Sequence, residues 1–153
     1  MMTIRQITSH NVCCDAFNLV EKVFYQFVAS DYSSEGVETF FRIVNVAYIE
    51  SLSSRNGFIY GAFTGDRLVG VIAVRDRNYI SLFFIDSDFQ GLGIGHKLFE
   101  AVRKEIARNG EFAINVHSSP FAVPVYEALG FAKIDIEQYE AGIRYTPMQL
   151  KLV

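Results

Sequence analysis

The chain has no tryptophan and, in 153 residues, only two cysteines, three prolines and three histidines. Cys13 and Cys14 are adjacent; neighbours on a helix point about 100° apart and cannot easily bridge. A disulfide framework and a cysteine-based zinc site are therefore excluded, and a reducing, cytoplasmic compartment is the expectation. The histidines lack metal-ligand spacing, so no metal is expected. No basic run tracks a phosphate backbone, and the net charge of −3 argues against nucleic acid and anionic membranes as partners. No apolar run is long enough to span a bilayer. The start lacks a signal-peptide layout, because Arg5 is followed by Gln6, Thr8, Ser9 and His10. Charged residues make up only 20% and hydrophobic ones 50%, which excludes disorder. One domain over residues 1–153, with a real core, is the expected organisation.

What is present is a run from Ser81 to Leu98 that reads as an apolar, aromatic strand, a glycine turn and the start of a helix. Gly91, Gly93 and Gly95 permit positive φ and clear side chains from the path of an approaching group. Several amides can then converge at the positive end of the following helix, an anion site suited to phosphate. The dinucleotide fingerprint G-x-G-x-x-G fails, since His96 stands at its third glycine. The P-loop pattern is absent.

Elsewhere the periodicity places a strand at Thr3 to Thr8 and a helix from Val12 to Ala29 with Asn11 as its cap. After a polar loop from Ser30 to Gly36, one long second helix carries Val37, Phe40, Phe41, Val44, Tyr48 and Leu52. Strands at Phe58 to Phe63, Leu68 to Val74 and Tyr79 to Ile85 form a meander, with turns at Thr64–Arg67 and Arg75–Asn78. The helix after the glycine turn stops at Asn109-Gly110. A strand at Phe112 to His117 should lie parallel to the strand at Tyr79 to Ile85, through a right-handed crossover. Ser119-Pro120 reads as the start of a short helix that Pro124 distorts and Gly130 ends. Phe131 to Glu137 reads as a strand with one wet face, Gln138 to Arg144 as a loop, and Met148 to Leu152 as a last strand that could pair across a homodimer. The order β α α β β β α β α β β describes an α+β domain with a mixed, mostly antiparallel sheet, helices on both faces and one parallel pair.

Gln90-x-x-Gly93-x-Gly95 resembles the acyl-CoA pyrophosphate loop, [QR]-x-x-G-x-[GA], of the GNAT N-acetyltransferase superfamily. Three further stretches fit: Asp86-Ser87-Asp88-Phe89 before the loop, Ser119-x-x-Ala122-x-x-x-Tyr126, and Tyr126-x-x-x-Gly130-Phe131. Pro147-Met148 is similar to the final strand of many small bacterial members. The resemblance covers essentially the whole chain and implies that the parallel strands splay, with pantetheine between them. It implies contacts from Phe83, Phe84 and Ile85 to that arm. It also implies amide contacts from Gln90, Gly91, Leu92, Gly93, Ile94, Gly95 and His96 to the diphosphate, and a hydrogen bond from Ser119.

The implied reaction is direct attack of a primary amine, of a small molecule, on acetyl-CoA. Its oxyanion needs a donor, for which the amide of Phe84 or Ile85 is the natural group. Tyr126 is the candidate general acid. A phenol of pKa about 10 opposite a thiol of about 8.5 is not driven to transfer its proton, so a strong hydrogen bond is expected. The glutamate that many members carry on these strands is missing, which leaves His117 or a water relay to Glu35, Glu38 or solvent as base. Asp31, Glu35, Glu38, Tyr32, Tyr139 and Tyr145 are candidates for selecting a cationic acceptor. A protein or peptide amine as acceptor, and a non-catalytic acyl-CoA-binding module, are the competing readings.

Overall fold

A computed structural model describes residues 2–152. Strand β1 (Met2–Gln6) leads into helix α1 (His10–Phe27), then α2 (Ser34–Ile43) and α3 (Val46–Ser51). Strands β2 (Phe58–Thr64), β3 (Arg67–Arg75) and β4 (Tyr79–Ile85) precede helix α4 (Ile94–Arg108). The chain ends with β5 (Ala113–Ser118), α5 (Val123–Ala128), β6 (Ala132–Lys133), β7 (Gln138–Glu140) and β8 (Ile143–Lys151). The sheet order is β1-β2-β3-β4-β5-β8-β6, with β7 folded back on β8. Every pairing is antiparallel except β4 with β5.

Both faces of the sheet are buried at its centre, and β3 shows why its sequence is apolar throughout. Val71 and Ala73 enter a core shared with α1 and α3, while Ile72 and Val74 enter a second core shared with α4 and α5. A strand covered on two sides reads as a continuous hydrophobic run. Strand β4 breaks this alternation. Ile80 belongs to the second core and Leu82 to the first, although two residues apart should share a face. The register slips between Ala73 and Val74, whose partners are Leu82 and Ile80, so Ser81 is an extra, bulged residue.

Several boundaries differ from the sequence reading. Ser9, not Asn11, caps α1, its side chain accepting from the Val12 amide. The expected single helix from Val37 to Leu52 is two, because Ile43, Val44 and Val46 are β-branched and the Asn45 side chain takes the Tyr48 amide at 2.9 Å, restarting the helix. Ser119-Pro120 lies in a turn ahead of α5, and Pro124 occupies the first turn of that helix, where it removes no hydrogen bond. Only Ala132–Lys133 of the expected strand at Phe131 to Glu137 pairs, and Ile134 and Ile136 are exposed. The expected loop at Gln138 to Arg144 is mostly a hairpin of β7 and β8. Strand β8 lies inside the sheet, between β5 on one side and β6 and β7 on the other. Most of its length is therefore already paired on both sides.

Candidate functional site

The parallel pairing of β4 with β5 is confined to Tyr79 opposite Asn115 and Ile80 opposite Val116. It ends at the bulge. Beyond Ser81 the two strands part, and a groove of about 670 Å³ opens between them. Asp86 amide donates to Val69 O of β3 at 2.9 Å. In an antiparallel ladder the direction alternates, so the Phe84 amide also points to β3, whereas those of Phe83 and Ile85 point to the groove side. The expectation of an oxyanion donor at Phe84 is corrected by this alternation. Phe84 instead lends its ring, which meets Phe40 edge-on at 6.4 Å.

Asp86 fixes the end of the strand. Its buried carboxylate accepts from the Asp88 amide at 3.0 Å and pairs with Lys22 of α1 at 3.3 Å and Arg67 of β3 at 3.4 Å. Burial alone would raise its pKa, but these donors outweigh burial and hold it below the usual carboxylate range. The glycine turn follows. Gly91 and Gly93 have φ of 78° and 80°, the left-handed region that other residues resist. Among the described backbone hydrogen bonds, none is donated by the amides of Gly91 to His96. The first to find a carbonyl is Lys97, on Gly93 O at 3.1 Å. These orphan donors sit at the positive end of α4.

Gln90, Gly91 and Gly93 to His96 line the groove, as do Phe83, Phe84 and Ile85. The Gln90 side chain ties back onto Ile85 O at 3.1 Å. Leu92 does not line the groove, and its side chain is exposed. Only its amide can serve a ligand there. Ser119 lines the opposite wall. Its Oγ accepts from the Ala122 amide at 3.3 Å, which leaves its proton to donate.

Tyr126, on α5, also lines the groove and is otherwise buried against Phe83 and Phe131. Burial, and secondarily Tyr79, pushes its phenol well above the ordinary tyrosine value. His117 is stacked on Tyr145 at 4.5 Å and meets Tyr79 edge-on at 5.4 Å. Desolvation and the Arg75 guanidinium lower its pKa against an opposing pull from Glu140. The two candidates for proton transfer therefore face one cavity.

Two loops meet beside the Tyr32 end of the groove. Ser33 amide donates to Gly142 O at 3.2 Å, Thr39 Oγ1 donates to Ala141 O at 3.1 Å, and Arg144 lies 3.7 Å from Asp31. The connection between α1 and α2 is thereby fastened to the β7–β8 hairpin. Tyr32 is on the wall, but Asp31, Glu35, Glu38, Tyr139 and Tyr145 are not. Three residues that sequence reasoning did not single out join it. Ser81 Oγ is the buried side-chain polar atom without a hydrogen-bond partner among the described residues. Phe27 and Phe121 stack at 5.0 Å between α1 and the turn before α5. A lone serine in an apolar strand was the available signal for the first; helical periodicity does not separate Phe27 from the core. Among the described residues no cluster of three or more metal-ligating side chains is found, and no helix is long and apolar enough to cross a membrane.

Residues 28–152 match the family model described as an acetyltransferase (GNAT) domain. No curated protein matches the sequence significantly. Among solved structures, a GCN5-related N-acetyltransferase from Rhodopseudomonas palustris superposes with a TM-score of 0.80 at 19% identity, covering 98% of this chain and 95% of that one. The PaiA N-acetyltransferase from Thermoplasma acidophilum, in complex with coenzyme A, gives 0.82 at 16% identity, with 99% of each chain covered. YncA from Salmonella typhimurium, with its cofactor acetyl-CoA, gives 0.73 at 19% identity, covering 100% and 95%. At such identities the likeness is one of fold.

Proposed function

Because the chain belongs to the GNAT acetyltransferase family, we propose that it transfers the acetyl group of acetyl-CoA to a primary amine of a small molecule, residues 1–153 working as one acyl-CoA-binding domain. The observation that carries this reading is the meeting, in one groove, of a turn of unpaired amides and a buried phenol. The amides of Gly91 to His96 supply donors for a diphosphate, which needs several at once. The amides of Phe83 and Ile85 offer pantetheine the pairing that β5 gives up, and Ser119 adds a hydroxyl. The fastening of the α1–α2 connection to the β7–β8 hairpin supports a small acceptor over a peptide laid in an open channel.

One of the groove-side amides, Phe83 or Ile85, stabilises charge on the thioester oxygen. Tyr126 keeps its proton at neutral pH and gives a hydrogen bond to the departing sulfur. His117 is neutral at pH 7 and receives the proton of the attacking nitrogen. Overall one nitrogen–carbon bond forms, the carbon–sulfur bond breaks, and one amine proton ends on the coenzyme thiol. No metal enters this sequence. Cys13 and Cys14 form no disulfide with each other, and a reducing, cytoplasmic setting is part of the proposal. Calorimetric titration with acetyl-CoA, followed by thiol release over a panel of amines, tests the reading. Saturable binding with turnover of some amine supports it. Binding without turnover makes the chain an acyl-CoA sensor, and no binding ends the proposal.

A further inference from the structure

We infer that the acceptor end of the groove takes an amine that arrives uncharged on a flat, apolar body, an arylamine in chemical class, rather than an alkyl polycation; this rests on the acetyl-transfer reading above and adds its acceptor. Beyond the glycine turn the walls are Phe27, Val28, Tyr32, Phe40, Ser81 and His117. Among the described residues, no aspartate, glutamate, lysine or arginine lines the groove. The charged groups near this end are engaged with one another. Asp31 and Glu137 share Arg144, at 3.7 and 3.2 Å. Glu140 accepts from the Tyr145 hydroxyl at 3.2 Å. Arg75 pairs with Asp76 and lies over the Tyr79 ring at 4.4 Å. Glu35 and Glu38 are exposed on α2. An ammonium entering here would lose water and find no carboxylate in its place.

A ring meets better company. Phe27 and Phe121 are stacked at 5.0 Å and 19°, and Phe40 is stacked on Phe24 at 4.2 Å and 17°, so aromatic faces and edges bound the space. Two polar groups break the apolar surface, the Tyr32 hydroxyl and the His117 imidazole, while the unpartnered Ser81 hydroxyl lies buried behind it. The first two suit the N–H groups of one neutral amine. The chemistry agrees. An alkylammonium holds its proton as tightly as lysine does, with a pKa of about 10.4, and an imidazole below about 6.5 cannot take it. An arylamine is already neutral at pH 7. Its attack leaves a positively charged, acidic nitrogen, whose proton His117 can accept. The proton taken by His117 passes to solvent and one from solvent ends on the departing sulfur, which Tyr126 holds by a hydrogen bond without losing its own proton, so the balance closes without a further reactant.

The test uses the wild-type chain, saturating acetyl-CoA and three probes: 4-methoxyaniline, 4-methoxybenzylamine and spermidine. Thiol release is followed between about pH 6.5 and pH 8.5, the range that separates imidazole from alkylamine titration. At pH 7 the kcat/KM for 4-methoxyaniline should exceed that for 4-methoxybenzylamine by at least about tenfold, one unit of differential protonation, with spermidine lower still. The benzylamine value should climb close to tenfold per pH unit as its neutral fraction grows, while the aniline value stays flat. Preference for spermidine or the benzylamine at pH 7, a pH-independent benzylamine, or no turnover of the aniline each overturns the inference. Calorimetry with acetyl-CoA separates the two levels. If acetyl-CoA binds, only the acceptor assignment has failed; if it does not, the acetyl-transfer reading falls and takes this inference with it.

Discussion

Burial keeps the Tyr126 proton in place. The phenol is raised above its ordinary value by desolvation and by Tyr79, so it stays a donor across the whole working range and contributes no alkaline limb below about pH 10. Tyr126→Phe retains the ring against Phe83 and Phe131 and removes only the hydroxyl. It should lower kcat by about 10²-fold and leave the calorimetric Kd for acetyl-CoA within about twofold, because the lost hydrogen bond belongs to the transition state. A fall of less than a few-fold removes Tyr126 from the role. His117 shifts the other way. Its pKa is lowered by desolvation and by Arg75, so the neutral imidazole that accepts a proton predominates at pH 7 and is lost as pH falls through a value below about 6.5. The pH profile of kcat/KM for a neutral acceptor should show one acid limb below that value. His117→Gln should abolish the limb; an unchanged profile rejects His117 as the base.

Among the elements, the strand–turn–helix unit of β4 and α4 was legible because its chemistry is written in residue types. The apolar strand, the glycines and the helical periodicity each have one physical cause. Gly93 sits at φ 80° with open space around its missing Cβ. Gly93→Ala should therefore cost about 1 kcal/mol from backbone strain alone, read as a lower denaturation midpoint. It should also weaken acetyl-CoA binding, because the turn supplies the amides. Asp86 anchors the same unit to α1 and β3. Asp86→Asn should cost about 2 kcal/mol at pH 7, the scale of hydrogen bonds to a charged group. Its folded pKa is depressed, so the wild-type advantage is present above the unfolded carboxylate value of about 3.9 and is lost as pH falls through the lower, folded one. Urea midpoints of the two proteins should converge in acid. What the sequence hid has equally physical reasons. Ile134 and Ile136 alternate as a buried strand would, yet nothing covers them. The break between α2 and α3 comes from a β-branched run and from one asparagine side chain taking one amide, which periodicity does not record. The bulge at Ser81 leaves no motif beyond a polar residue in an apolar run.

At the scale of the whole molecule, a sheet with a core on each face splits at one point, and the split is the site. Two cores hold β3 and β4 from both sides, so the strands past Ser81 can part without the sheet losing its frame. Residue types and the order of elements located the turn and the parallel pair, and the resemblance pointed to Tyr126. It did not locate the bulge that opens the pair, nor the aromatic, charge-free wall at the far end. Those depend on register and on side chains from α1 and α2 that only the fold brings across. The direct test of this account is amide chemical-shift mapping by NMR as acetyl-CoA is titrated into the wild-type protein. The amides of Gly91 to His96, with those of Phe83 and Ile85, should show the largest shifts and saturate together. Shifts concentrated away from both the turn and β4, or none at saturating acetyl-CoA, would contradict it.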